Sequence, residues 1–246
     1  MKKLQVLMPM GGLGSRFATA GYTTPKPLIE VDGMPMFMRA LQSFQGFTGD
    51  ISYIFVIRKE HDQAYKLADS IRRELPEAKI AILDHDTDGA VESSLIAESL
   101  IEDDTPISVM DCDIYFESSD YFNKINSLDK NNIDGMLLTF SADNPRYSYV
   151  EIDKTGKAVR TAEKKVISNN AILGGYFFRS GQLFRSVAHD FVDKPLPDDL
   201  KEYFMSHLFN MLLADGKHVE IANVDVMHIF GTPEELDAYK ARSTNG

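Results

Sequence analysis

Two rhythms of apolar residues alternate along the first half of the chain. Val6 to Met8 is a short apolar run of the buried-strand kind, and Ile51 to Ile57, Lys79 to Leu83 and Ile107 to Met110 repeat it. Between these runs the apolar positions fall at helical spacing. Phe37, Ala40, Leu41 and Phe44 stand at i, i+3, i+4 and i+7 behind Pro35, a residue suited to a helix start. Ala64, Leu67, Ala68, Ile71 and Leu75 form a second stripe, and a helix is expected from Val91 to Ile101, after the polar loop Asp84 to Ala90. Strands alternating with helices are the signature of a parallel sheet covered by helices.

Beyond Asp113 the rhythm changes. Gly135 to Phe140 and Tyr147 to Asp153 read as strands, and the turn Lys154-Thr155-Gly156-Lys157 folds Ala158 to Thr161 back as a hairpin partner. Ala171 to Arg179 is a further strand, and Val219 to Val224 and Val226 to Phe230 are expected to extend the sheet. A helix from about Glu202 to Asp215 carries Phe204, Leu208, Met211 and Leu212 on one face. Thr232-Pro233-Glu234-Glu235 is a capping box with proline at the first helical position, and the tail from Ser243 to Gly246 is expected to fray. The expected fold class is α/β: a single-domain, Rossmann-like mixed sheet, mostly parallel in its N-terminal half and flanked by helices.

Composition supports one domain, 1–246, with no repeat, low-complexity segment or linker: the 246 residues are 43% hydrophobic, enough for a substantial core. Formal charge is 26 minus 37, or −11, with no basic block, so neither a nucleic-acid surface nor an anionic-membrane patch is expected. The single cysteine, Cys112, forms no disulfide within the chain and builds no cysteine-based zinc site. The apolar run after Met1-Lys2-Lys3 is too short for a signal-peptide core, and nothing approaches a membrane span of about 20 residues, so a reducing cytoplasm is the expected location. Oligomeric state is left open.

Chemistry concentrates in Gln5 to Gly33. Gly11, Gly12 and Gly14 follow the first strand at once, so the chain bends with bare backbone N–H groups available to an anion, and a helix just beyond would add its dipole. Glycine loops serve several ligands. A Walker loop would end Gly-Lys-Ser/Thr, whereas this one reads Gly14-Ser15-Arg16. A dinucleotide fingerprint needs glycine where Phe17 stands and an acidic residue closing the second strand, whereas Asp32 sits in a turn. The unusual feature is Pro25-Lys26-Pro27-Leu28, where two prolines fix the backbone around one lysine.

The run GGLGSRF and the segment PKPLIEVDGMPM, with several later stretches, resemble the sugar-phosphate nucleotidylyltransferases, also called nucleotide-sugar pyrophosphorylases. The resemblance spans Leu4 to about Tyr239 and is strongest to compact members associated with capsule and surface-polysaccharide gene sets. It implies the nucleotidyltransferase type of fold, with a nucleotide-binding half over about 1–115 and an acceptor-binding half over about 116–246. It also implies that Gly11, Gly12, Leu13, Gly14 and Ser15 wrap a nucleoside triphosphate whose phosphates Arg16 and Lys26 hold. Where the family usually has Leu-Ala-Ala before the loop glycine, this chain has Pro9-Met10-Gly11.

Asp111 and Asp113 close a strand two residues apart, so both side chains can face one side; such a pair suits Mg²⁺, or it is an ordinary acidic turn. The resemblance implies that Asp113 binds the metal, with Asp111 beside it. Thr87, Gly89 and Glu92 match a pattern the family sets beside the nucleobase, although Thr87 or Asp88 serves equally as a helix cap. Glu163-Lys164 would alone be a solvated pair; the resemblance makes the lysine a ligand of the acceptor phosphate and the glutamate a ligand of its hydroxyls, with Gly175 in an acceptor-side segment. Ser148 stands where larger members commonly have glycine. A second metal aspartate of the larger members falls at Ile229, leaving Asp225 or His228 as substitutes if the strand bends.

The expected reaction is Mg²⁺-dependent nucleotidyl transfer from a triphosphate to a phosphorylated acceptor, of the sugar 1-phosphate type, with release of pyrophosphate. Alternatives are a cytidylyltransferase for phosphocholine or another small phosphate, a nucleotide-sugar-dependent glycosyltransferase, and a non-catalytic sensor. The absence of tryptophan weakens phosphocholine, although ten tyrosines and fifteen phenylalanines offer other cation–π faces.

Overall fold

The computed structural model describes residues 2–196 and 200–243. In chain order the elements of the first half are β1 (Lys3–Met10), α1 (Ser15–Thr19), β2 (Glu30–Val31), β3 (Met34–Pro35), α2 (Met36–Leu41), β4 (Asp50–Arg58), α3 (Lys59–Tyr65), α4 (Leu67–Glu74), β5 (Lys79–Leu83), α5 (Ala90–Leu95), β6 (Ile107–Met110) and β7 (Ile114–Glu117). The second half adds α6 (Ser119–Ile125), β8 (Gly135–Ser141), β9 (Tyr149–Ile152), β10 (Ala158–Ala162), β11 (Asn170–Phe178), α7 (Gly181–Val192), α8 (Met205–Ala214), β12 (Val219–Asn223), β13 (Val226–Ile229) and α9 (Pro233–Ser243).

The central sheet runs β10-β9-β11-β6-β1-β4-β5, with β8 joined to β11 and β12 joined to β8. β6, β1, β4 and β5 are parallel, and β11 then enters antiparallel to β6 and begins the mixed half. Both faces of the parallel part are covered. Leu4, Val6 and Met8 enter one core with Phe55 and Ile57, while Leu7 enters the other with Ile54 and Val56. That strict alternation inside unbroken apolar runs is what a sheet buried on both faces demands.

β11 departs from a regular ladder. Its register against β8 shifts between Ile172 and Tyr176, and Gly174 sits in the irregularity at φ 42. The bulge lies opposite the carboxyl end of β6, where Asp111 N–H donates to the Gly174 carbonyl at 3.1 Å. Ligand sites of open α/β sheets gather at such strand ends. A smaller apolar cluster of Phe17, Ile29, Val31, Met36, Phe230 and Leu236 ties the glycine-loop segment to the C-terminal helix.

Several expectations need correction. The stripe Ala64 to Leu75 is two helices, α3 and α4, broken at Lys66, which adopts φ 54. The helix expected from Val91 to Ile101 is α5 followed by a separate turn at Glu98–Leu100. β13 does not extend the main sheet; it pairs antiparallel with β7 in a two-stranded ribbon. Two further helices, α6 and α7, occupy stretches given no element above, each capped by a serine whose hydroxyl accepts a backbone N–H. Of the tail expected to fray, Ser243 ends α9 and 244–246 lie outside the described residues. No helix among the described residues is long and apolar enough to cross a membrane.

Candidate active site

β1 ends at Met10, and the chain bends through Gly11 to Gly14 into α1. Because α1 has only five residues, the dipole expected of a helix here adds little, and anion attraction falls to backbone N–H groups and fixed cations. Gly12, Leu13, Ser15 and Arg16 are all exposed, Leu13 at 65%. No carboxylate among the described residues pairs with Arg16. The loop is held from behind by Arg58, at the end of β4, which donates to the Gly11 carbonyl at 2.9 Å and pairs with Asp86.

Lys26 begins a 3₁₀ turn, Lys26–Leu28, fixed by Pro25 and Pro27. Its ammonium, half-buried, is bonded to Asp113 Oδ2. Burial works against the ammonium, but the attraction of Asp113 and Asp111 outweighs it and holds Lys26 above the ordinary lysine range. Asp111 is placed differently. No donor among the described residues bonds its carboxylate, and burial, reinforced by Asp113 and Glu163 against the relief from Lys26, pushes it up to about 7. A Cβ on Gly174 would lie 2.4 Å from Asp111 Oδ2, so only glycine leaves this carboxylate its place. Between them the buried Cys112 thiol is pushed up to about 12 by burial, which keeps it neutral and unreactive.

Three hollows meet at Asp111. One, about 310 Å³, lies under the glycine loop and reaches Arg16, Lys26 and Asp113. The second, about 470 Å³, runs from Gly11, Gly12 and Leu13 toward Thr87, Gly89 and Glu202. Thr87 Oγ1 is bonded to Ser93 Oγ at 2.5 Å, and Gly89, at φ 133, is a glycine because the Tyr203 backbone approaches where a Cβ would stand, 2.6 Å from its nitrogen. The third, about 730 Å³, is bordered by Glu163, Lys164, Arg146, Tyr147, Ser148 and Phe204. Residues read from separate stretches of sequence, Arg16, Lys26, Asp111, Asp113, Glu163 and Lys164, therefore surround one continuous space.

Asp225, His228 and Gly175 lie apart from the contacts considered for them. Asp225 is exposed, and its carboxylate accepts the Ser119 N–H at 2.7 Å, capping the start of α6 away from the three hollows. His228 stacks on Tyr115 and packs against Tyr239, so neither residue replaces the missing carboxylate at Ile229, which borders the third hollow. Gly175 is buried, with its Cβ position 2.4 Å from Leu138 Cδ1, and Gly174 is the glycine at the site. Gly174 belongs with Gly175 to the acceptor-side segment expected from the resemblance, whereas Arg58, Arg146 and Glu235 were not singled out. A lone arginine closing a buried strand is a readable signal for Arg58. Arg146 and Glu235, paired at 2.7 Å, have none.

Asp111 and Asp113 gain no third His, Cys, Asp or Glu as a clustered ligand among the described residues. An uncompensated carboxylate beside a second one fits a hard cation that takes its other ligands from water and phosphate, as Mg²⁺ does.

Residues 5–225 match the family model described as nucleotidyl transferase. Among solved structures the chain is similar to a nucleoside-diphosphate-sugar pyrophosphorylase from Vibrio cholerae RC9, with a TM-score of 0.81 at 23% identity over 95% of this chain and 98% of that one. It is also similar to an inositol-1-phosphate CTP transferase from T. maritima, with a TM-score of 0.75 at 15% identity over 99% and 95% of the two chains. A UDP-glucose pyrophosphorylase complexed with UDP-glucose gives a TM-score of 0.74 at 17% identity, with both chains covered to 100%. Likeness at these identities speaks for the fold, whereas the family match spans most of the sequence: the chain belongs to the nucleotidyl transferase family and is a nucleotidyltransferase enzyme.

Proposed function

We propose that this enzyme joins the nucleotidyl group of a nucleoside triphosphate to a phosphorylated small molecule of the sugar 1-phosphate type and releases pyrophosphate. The observation that carries the reading is the meeting of three hollows at Asp111, with the bonded pair Lys26 and Asp113 beside it. An oxygen of the acceptor phosphate attacks the α-phosphorus, the bond from that phosphorus to the bridging oxygen breaks, and pyrophosphate leaves with the electron pair. The attacking oxygen is already an anion, so no protein nucleophile is required, and the neutral Cys112 thiol supplies none.

The chain's own work is alignment and charge neutralisation. Backbone N–H groups of Gly12 to Ser15 and the Arg16 guanidinium hold the β- and γ-phosphates; Lys26 faces the charge that grows at the α-phosphate. Asp111 and Asp113 would hold Mg²⁺, which when bound neutralises charge on nucleotide oxygens. Glu163 and Lys164 receive the acceptor, the lysine at its phosphate. Thr87 and Gly89 border the hollow left for the base. We place the reaction in the cytoplasm, where nucleoside triphosphates are made, its nucleotide-activated product serving later group transfer such as polysaccharide assembly.

The test is a pyrophosphate-release assay crossing UTP, CTP, GTP, ATP and dTTP with sugar 1-phosphates, phosphocholine and other small phosphates, with and without Mg²⁺. Release that needs one triphosphate, one acceptor and the metal together is expected. Triphosphate binding without turnover across the panel would instead support a sensor.

A further inference from the structure

The acceptor-side hollow contains a carboxylate whose bonding is lopsided. Glu163 follows β10, and its Oε2 accepts hydrogen bonds from two hydroxyls, Ser148 Oγ and Ser206 Oγ, the latter at 3.0 Å. They come from different places: Ser148 stands just before β9, and the buried Ser206 lies in the first turn of α8. The frame behind them is tied. Thr161 N–H donates to Asn210 Oδ1 at 2.7 Å, Thr161 Oγ1 donates to the Ser206 carbonyl at 2.7 Å, and Asn210 Nδ2 donates to the Thr161 carbonyl at 3.1 Å. β10 and α8 therefore cannot slide without breaking three bonds.

Among the described residues no lysine or arginine pairs with Glu163, and no donor bonds its Oε1. A carboxylate oxygen accommodates about two donors, so Oε2 is filled and Oε1 is left for a molecule in the hollow. The next residue offers the opposite charge. Lys164, at φ 51, sets its ammonium 4.8 Å from the centre of the Phe204 ring, and Arg146 lies 4.5 Å from the centre of the Tyr147 ring. A quaternary ammonium group would thus find the Tyr147 and Phe204 rings already engaged by cations, whereas a phosphate finds Lys164 and a hydroxyl finds Glu163.

We propose that Ser148 and Ser206 make Glu163 the reader of a single acceptor hydroxyl, so that the acceptor is the phosphate ester of a neutral polyol presenting one O–H to Glu163 rather than a vicinal pair spanning both oxygens. Ser148 is then the specificity-determining residue and Ser206 a positioning residue. The inference rests on the nucleotidyl-transfer reading above.

The experiment measures kcat/KM of wild type, Ser148→Ala, Ser148→Gly and Ser206→Ala with glucose, galactose and mannose 1-phosphates, their monodeoxy analogues and phosphocholine. In wild type, removing one ring hydroxyl lowers kcat/KM by more than about tenfold while removing its vicinal neighbour costs less than about threefold. In both Ser148 variants the neighbour comes to matter, the acceptor ranking changes, and the triphosphate KM stays where it was. Ser148→Ala keeps the side-chain volume but loses the bond, so it carries the test even if Ser206→Ala fails to fold. Equal dependence on two vicinal hydroxyls in wild type, an unchanged ranking in the Ser148 variants, or preference for phosphocholine overturns the inference alone. Triphosphate binding with no turnover of any acceptor overturns the reading beneath it.

Discussion

On the triphosphate side of the junction, Gly12, Leu13, Ser15 and Arg16 stand exposed, and what they offer is backbone N–H groups plus a cation that no carboxylate among the described residues engages. On the acceptor side the polar groups are already bonded to one another: Arg146 to Glu235 at 2.7 Å, Glu163 to Ser148 and Ser206, Lys164 over Phe204. A polyphosphate is a flexible, highly charged ligand that any ring of N–H groups and cations can grip, so an open loop suffices. A small acceptor must be told from its isomers, and that requires donors and acceptors fixed beforehand by their own partners. Asp111 and Asp113 border both hollows, and Lys26 is bonded to Asp113 between them.

The largest effect is expected of Lys26→Ala, which removes the cation bonded to Asp113 where the hollows meet. We predict that kcat/KM falls about 10³-fold or more, roughly 4 kcal/mol of transition-state stabilisation, while the melting temperature stays within a few degrees of wild type. An almost unchanged rate would remove Lys26 from the mechanism.

Asp111→Asn should lower the rate about 100-fold and weaken the metal requirement, yet make the metal-free protein more stable at pH 8. The carboxyl titrates near 7 in the fold against an ordinary value of 3.8. A raised acid leaves stability intact below its unfolded value and loses it as pH climbs through the folded value, so wild type should weaken from about pH 4 to 7 and then level off. The variant should lack that decline, for a gain of at most about 4 kcal/mol at pH 8. Denaturant melts across pH, with a chelator present, check it.

Arg146→Ala sharpens the contrast between sides. It frees Glu235 and uncovers Tyr147, and we expect the acceptor KM to rise about threefold to tenfold while the triphosphate KM is unchanged. Steady-state kinetics with each substrate varied in turn would read the split.

The smallest effect belongs to Asp225→Ala. It removes the acceptor of the Ser119 N–H at the start of α6 and should lower the melting temperature only slightly, with the Mg²⁺ dependence of the rate unaltered. A changed metal requirement would return Asp225 to the site.

The same contrast explains what was legible in the sequence. β5 and β6 fall where their apolar runs predict, and β1 and β4 contain theirs; β1 and β6 are buried along nearly their whole length, which leaves such runs little freedom to be anything else. The glycine loop, Lys26 and the Asp111–Asp113 pair are local signals whose spacing survives folding. α7 carried a readable stripe, with Phe184, Val187, Ala188 and Phe191 at helical spacing behind Ser180, and α6 began with a similar serine cap. The Lys66 break was not readable, since the apolar stripe runs through it. Asp225 could reach the site only through a bend in an assumed sheet strand, whereas β13 pairs with β7 outside that sheet. The acceptor side was least legible of all. Ser148, Glu163, Ser206 and Glu235 become neighbours only when β9, β10, α8 and α9 pack, and no spacing encodes such a meeting.

The central claim is that the α-phosphate changes hands at Asp111, Lys26 and Asp113. The most direct measurement follows a triphosphate labelled with ³²P at the α position in the presence of Mg²⁺ and acceptor. The account predicts that label moves into a nucleotide–acceptor diphosphate in step with unlabelled pyrophosphate, only when acceptor is present, and is lost in Lys26→Ala. Label released as free nucleoside monophosphate regardless of acceptor, or transfer of a γ-label to the acceptor instead, would contradict it.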